Sequence, residues 1–319
     1  MKLSVLGSGR WASFLAWYLD KTGHETLLWG RPGSRTLEKL QKTRQNEYVT
    51  LPSSVAFTDD LGRALEFGQY IIIAIGAQQL RALLASFPRK PSVPVVLCMK
   101  GLETGTGMRL TQVVADCMGD GAPSAVWLGP GHPQDFVKGI PNCMVLDSVD
   151  PNLTMSIADA LGSQLIRFYY GRDLIGAEIG AASKNVVGLA AGMLDGLGLG
   201  SLKGVLMARG AREISRLTVS LGGQELTTYG LCHLGDYEAT LFSPYSHNRR
   251  FGEMFIRGEP YSELAEGVST VGSLMTLSEK TGVDLPICSA VSGILSGRHK
   301  PEEALRGLFV RSVKPEFYM

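Results

Sequence analysis

Residues 2–12 read KLSVLGSGRWA, and this opening stretch decides the fold. A short apolar run over residues 3–6 is followed by Gly7, Gly9 and Ala12 in the pattern G-x-G-x-x-A, and a helical pattern begins at once. Strand, glycine turn and helix in that order form the first half of a βαβ unit. Gly7 permits the tight turn, Gly9 lets backbone approach a pyrophosphate, and small Ala12 lets helix pack on strand. The free N–H groups at the helix start are then available to an anion. The stretch points to a bound dinucleotide, against the plainer alternative of an ordinary strand-to-helix turn.

Working outward, apolar runs at residues 25–29, 70–75, 93–99, 125–129, 142–146 and 165–170 are further candidate strands. Several are apolar on both faces, as strands covered by helices on both sides are. Between them, residues 11–22, 77–87 and 106–118 carry apolar positions at helical spacing. The expected product is a Rossmann-type doubly wound parallel sheet of the α/β class. From about Ile175 strand-like runs stop, and IGAEIGAASKNVVGLAAGML opens an all-helical half. We expect a dinucleotide-binding domain over residues 1–174 and a helical substrate-binding and catalytic domain over 175–319. No proline- or serine-rich linker marks the boundary, which falls near residues 171–176.

Composition narrows the function. Lys plus Arg total 31 against 30 Asp plus Glu, a formal charge of +1, so no long-range field gathers nucleic acid or an acidic membrane. Any charged ligand must be captured locally. The five cysteines are an odd number without C-x-x-C spacing, which argues against a disulfide framework or structural zinc and for a reducing compartment. His132, His233 and His247 lack the spacing of a zinc motif, so no metal is expected. The uncharged stretch 185–194 is about half the ~20 apolar residues that cross a bilayer. We expect a buried helix there, no membrane span, and a cytoplasmic protein.

Four groups of residues carry candidate chemistry. Arg31 closes the second candidate strand 19 residues after Ala12, where an acid favours the ribose 2′-hydroxyl and an arginine the 2′-phosphate. With Ser34 and Arg35 on the same loop, it favours NADP over NAD unless these arginines are merely solvated. Lys100 follows VPVVLCM at the carboxyl edge of the sheet, and Lys184 lies among small and apolar residues. Burial and a neighbouring cation would bring such a lysine down from about 10.4 into the range useful for proton transfer. Asp236 would orient a lysine or accept a substrate hydroxyl. Ser246, His247, Asn248, Arg249 and Arg250 form a donor-rich cluster suited to a phosphate or carboxylate.

At this point the chain resembles the NAD(P)-dependent glycerol-3-phosphate dehydrogenase family over nearly its whole length. The stretches that carry the resemblance are GSGRWA, LLWGR, MKGLETGTG, LGPG, EIGAASKNVVGLAAGMLDGLGLG, ARGAREISRL, GLCHLGDYEATL, SHNRRFG and GVDLPI. The resemblance implies a Rossmann domain, a helical domain and interconversion of dihydroxyacetone phosphate with sn-glycerol 3-phosphate for glycerophospholipid synthesis, using NADP or NAD. It implies Lys184 as proton donor and acceptor, Lys100 as a contact to substrate and cofactor, and Asp236 and Thr240 as residues lining the substrate. Ser246 and Asn248 match phosphate-side contacts, and Gly129 the loop beside the substrate. Arg10, Trp11 and Arg31 take cofactor-contacting positions, Glu266 that of a nicotinamide-side glutamate. A small phosphorylated substrate and a homodimer follow from the same resemblance.

Three departures from the family pattern stand out. Where the family has S-R-N-R-R this chain reads SHNRR, so His247 replaces an arginine that grips substrate phosphate and cofactor. The G-P-T-F-A loop reads GPGHP, which puts Gly131 and Pro133 beside substrate and cofactor, and Arg10 replaces a serine in the glycine turn. A neutral imidazole lacks the permanent charge and fork geometry of arginine. Arg249, Arg250 or Arg10 is therefore expected to supply the missing charge. These changes also keep two alternatives open: a related dehydrogenase of another small hydroxy or oxo acid, and a dinucleotide-sensing protein without turnover.

Overall fold

The computed structural model describes residues 1–310. Its eight strands are β1 (Lys2–Leu6), β2 (Glu25–Trp29), β3 (Ala56–Thr58), β4 (Tyr70–Ile73), β5 (Val95–Leu97), β6 (Ser124–Leu128), β7 (Asn142–Ser148) and β8 (Ile166–Tyr170). They form one sheet in the order β3-β2-β1-β4-β5-β6-β7-β8. Strand order reverses at the β1–β4 pair, which opens a crevice at the carboxyl ends of those strands.

The apolar runs form strands because alternate residues feed two different cores. Val5, Leu28, Ile72, Val96 and Trp127 face one side of the sheet, against Phe14 and Leu15 of the helix Arg10–Lys21 and Ile157 of the helix Pro151–Leu161. Leu6, Ile71, Ile73, Leu97, Val126 and Leu128 face the other, against Leu80, Val113 and Ala177. Each such aliphatic side chain, removed from water, contributes about 1.5–3 kcal/mol.

Three details differ from the sequence reading. β7 runs antiparallel to β6, with Trp127 opposite Leu146, while β8 runs parallel to β7. The helix joining β6 to β7 is the five-residue Pro133–Val137. At about 7 Å long it cannot return the chain to the start of β6 for a parallel crossover. The edge strand β3 pairs with β2 over three residues, too few for any periodicity to show. The helix expected over 106–118 begins at Leu110, because Gly105 and Gly107 hold left-handed backbone at φ 83° and 73°.

The second half is built around the helix Leu174–Gly196, buried on all sides from Gly176 to Leu194. Asp173 caps it, its Oδ1 accepting from the Gly176 N–H at 3.0 Å. Glycines recur at every fourth position, 176, 180, 188, 192 and 196, and Lys184 occupies the one gap in the row. A Cβ on Gly192 would land on the Arg249 carbonyl oxygen, and one on Gly188 would lie 2.7 Å from Thr240 Cγ2. The bare backbone therefore lets the helix His247–Arg257 and the single π-helical turn Glu238–Phe242 approach closely. Val186, Leu189, Met193, Leu274 and Val291 fill the core between these helices, Lys203–Ser220, Glu266–Thr281 and Pro286–Leu295. Among the described residues no helix is long and apolar enough to cross a membrane, and all five cysteines are free thiols.

Candidate active site

Lys100 emerges just past β5 at the carboxyl edge of the sheet, where its Nζ donates to the Gly129 carbonyl at 2.7 Å and to Asp236 Oδ2 at 2.6 Å. Lys184 comes from the long helix to the same oxygen, with Nζ 2.8 Å from Asp236 Oδ2. Its Nζ also donates to Thr240 Oγ1 at 2.7 Å, and that hydroxyl donates to the Asp236 carbonyl at 2.7 Å. Thr240 stands one turn beyond Asp236, so a single short segment orients Lys184 through two contacts.

Two ammonium groups on one carboxylate leave a surplus positive charge. Lys184 is 8% exposed and Asp236 1%. Burial pushes the Lys184 amine down to about 8; the Asp236 carboxylate opposes the shift and the Lys100 ammonium adds to it. An amine so poised gives and takes a proton near neutral pH. His132, behind the site, is pushed down to about 4, chiefly by burial, and donates its Nε2–H to the Ala239 carbonyl at 2.9 Å.

The glycine turn lies along the same edge. Gly7 takes φ +132°, and a Cβ there would land on the Ala74 carbonyl oxygen. Gly9 caps the helix Arg10–Lys21 without any side-chain bond, and no atom lies within 4 Å of where its Cβ would stand. Uncapped N–H groups facing open space fit a dinucleotide pyrophosphate. Ser8 Oγ bonds Thr36 Oγ1 at 2.6 Å and Ser34 Oγ at 3.2 Å, tying the loop of exposed Arg31 to the turn. Trp11 packs on Phe14 and Phe136 at ring separations of 4.9 and 6.4 Å. Phe136 in turn fills the space beside Gly131, whose φ of +134° and missing Cβ both require glycine, and Pro133 starts its helix. Glu266 crosses from the helical half to accept from the Ala77 N–H at 3.2 Å, and burial pushes its carboxyl up.

His247 meets the glycine turn directly. Arg10 Nη1 lies 3.1 Å from His247 Nε2 and 3.4 Å from the Tyr245 carbonyl, with its guanidinium 5.5 Å from the Tyr48 ring centre. A guanidinium only donates, so Nε2 accepts and Nδ1–H donates to Tyr261 Oη at 2.6 Å. Burial, and then the charge of Arg10, push the imidazole down. The permanent cation in direct contact with His247 is Arg10. Arg249 does not supply it, being engaged by Asp195 at 2.8 Å and Glu253 at 2.9 Å, and Arg250 lies exposed near the Tyr261 ring.

Ser246 and Asn248 carry structural duties as well. Ser246 Oγ caps its helix by accepting from Arg249 N–H at 3.3 Å. Asn248 donates to Asn185 Oδ1 at 3.0 Å and accepts from Gly267 N–H at 2.9 Å, which ties three helices together. Sequence reasoning missed Asn185, which adjoins Lys184 in K-N-V, and Tyr261 and Tyr48, which no motif marks. Among the described residues no group of three His, Cys, Asp or Glu side chains could hold a metal ion.

Known proteins match this chain over nearly its whole length. Residues 2–154 match the family described as NAD-dependent glycerol-3-phosphate dehydrogenase N-terminus, and residues 173–306 its C-terminus. Glycerol-3-phosphate dehydrogenase [NAD(P)+] from Thiobacillus denitrificans is 37% identical over 99% of this chain and 100% of its own length. The protein of the same name from Deinococcus radiodurans is 39% identical over 98% of this chain and 96% of its own. A crystal structure of glycerol-3-phosphate dehydrogenase from Coxiella burnetii superposes with a TM-score of 0.90 at 27% identity, covering 97% of this chain and 98% of that one. The chain belongs to the NAD-dependent glycerol-3-phosphate dehydrogenase family.

Proposed function

We propose that this protein interconverts dihydroxyacetone phosphate and sn-glycerol 3-phosphate with NAD(P)H, supplying glycerophospholipid synthesis. The observation that carries the reading is the shared oxygen of Asp236, on which Lys100 and Lys184 converge beside Gly129. The nicotinamide, when bound, supplies the hydride to C2 of the ketone. Lys184 protonates the developing alkoxide, and Lys100 holds positive charge beside that oxygen. Both interactions strengthen as charge develops, which is what lowers a barrier. Asp236 and Thr240 keep the Lys184 amine aimed.

Gly7, Gly9, Arg10, Trp11, Arg31, Lys100, Pro133, His247 and Glu266 would hold the cofactor. Gly129, Gly131, Asp236, Thr240, Ser246, His247 and Asn248 would line the substrate, with Arg10 supplying the phosphate-side charge that the family draws from arginine. The Arg31 loop supports a preference for NADPH. We divide the chain at residue 174, where the long helix begins, and assign it to the cytoplasm on the strength of its five free thiols. The homodimer rests on family membership alone.

Adding dihydroxyacetone phosphate to protein and NADPH should consume NADPH. Thermal stabilisation by NADPH without consumption would overturn the reading in favour of a dinucleotide sensor. Consumption with an unphosphorylated oxo acid alone would move the substrate class.

A further inference from the structure

Behind the lysine pair lies a second polar arrangement that the proposed chemistry does not touch. His233 is fully buried, as is Tyr237. His233 Nδ1 lies 2.7 Å from the Gly180 carbonyl, and its Nε2 lies 2.7 Å from Tyr237 Oη. A carbonyl only accepts, so Nδ1 carries the proton and Nε2 accepts from the tyrosine hydroxyl. Both nitrogens of a neutral imidazole are thereby used.

The partners matter more than the bonds. Gly180 lies one turn before Lys184, so its carbonyl is also the i−4 acceptor of the Lys184 backbone N–H. His233 and Tyr237 bracket the turn Leu234–Asp236 that carries the shared carboxylate. The approach requires two glycines: a Cβ on Gly180 would lie 3.0 Å from His233 Cβ, and one on Gly210 would lie 3.0 Å from Tyr237 Oη. One imidazole therefore fastens the segment holding Asp236 to the helix holding Lys184, at the residue whose carbonyl fixes the backbone of that lysine.

We infer that His233 and Tyr237 are positioning residues, a buried clamp that sets the Asp236–Lys184 contact and through it the proton affinity of the lysine. This inference rests on the proposed roles of Lys184 and Asp236. The Lys184 ammonium is faced by Asp236, Lys100, His132 and His233, and of these only Asp236 raises its proton affinity by charge attraction. Burial pushes His233 down to about 4, so the clamp stays neutral across the working range. If the clamp loosens, Asp236 drifts from Lys184 and the amine loses its proton at lower pH.

Tyr237→Phe removes the hydroxyl, and His233→Asn keeps a donor toward Gly180 while abandoning Tyr237. In ketone reduction both should lower kcat about ten-fold and move the alkaline limb of the kcat profile down by half a pH unit or more. The dissociation constant of NADPH should stay within about two-fold of wild type. Wild-type kcat and an unmoved limb in either folded variant, whatever its melting temperature, would overturn the clamp. In the unmodified protein, histidine 15N resonances should show His233 as the Nδ1–H tautomer and should shift when dihydroxyacetone phosphate binds. A different tautomer or an unresponsive ring would overturn the clamp even if both variants failed to fold. An inactive wild-type enzyme would instead sink the functional reading on which the clamp rests.

Discussion

Arg10 Nη1 and His247 Nε2 are 3.1 Å apart although the two residues open helices in opposite halves of the chain. The contact joins the glycine turn to the donor cluster and sets a permanent cation, Arg10, against the imidazole. Arg10→Ala should raise the KM for dihydroxyacetone phosphate about ten-fold or more, the scale of one charged hydrogen bond, with a smaller change in kcat. Steady-state kinetics with saturating NADPH measure it.

His247 should contribute no titration of its own to substrate binding near neutrality. Burial and Arg10 both favour its neutral form. Between about pH 6.5 and 8, the KM for the phosphorylated ketone should follow the same slope in wild type and His247→Arg. A KM that climbs more steeply in wild type would show that the imidazole, rather than Arg10, carries the charge.

For Lys184 the two reaction directions have opposite signs. Ketone reduction needs the protonated amine, so kcat should fall as pH rises through about 8; alcohol oxidation needs the neutral amine and should rise through the same region. Lys184→Ala should abolish turnover in both directions while NADPH binding, followed by fluorescence titration, stays near wild type.

Arg31→Glu tests the cofactor reading. Losing a cation and gaining an anion opposite the 2′-phosphate should lower the NADPH-to-NADH ratio of kcat/KM at least ten-fold, an effect of ~1.4 kcal/mol or more. An unchanged ratio would leave the exposed Arg31 as a solvated loop charge.

Two glycine-to-alanine changes should move stability in opposite directions. At exposed Gly272, in the helix Glu266–Thr281, no atom lies within 4 Å of a new Cβ, so the change should stabilise by about 0.5–1 kcal/mol. At Gly192 the same change drives a methyl group into the Arg249 carbonyl oxygen and should destabilise by about 2 kcal/mol or more. Urea unfolding compares both with the parent.

The sheet and the lysines were legible in the sequence for a local reason. β1, β2 and β4 to β8 are contiguous apolar runs, and Lys184 is a charge where its neighbours exclude one. What escaped depends on distant partners. The direction of β7 is set by the length of its connection, not by its own residues. Tyr261 acquires its role only when the fold sets it 2.6 Å from His247, and it is the fold that brings Arg10 to His247 while Asp195 and Glu253 engage Arg249.

The reversal between β6 and β7 also sets where the helix of Lys184 begins. Because β7 and β8 run downward, the chain leaves the sheet below the ligand edge: the Asp173 N–H is held at 3.0 Å by Asp147, the residue paired with Val126 midway along β6. The helix from Leu174 then runs about 15 Å before it reaches Lys184. Had those two strands run upward, a helix starting at the rim would have offered its first, frayable turn to the substrate. Instead the amine projects from the middle of a 23-residue rod anchored at both ends, and thermal opening of the helix termini leaves it in place.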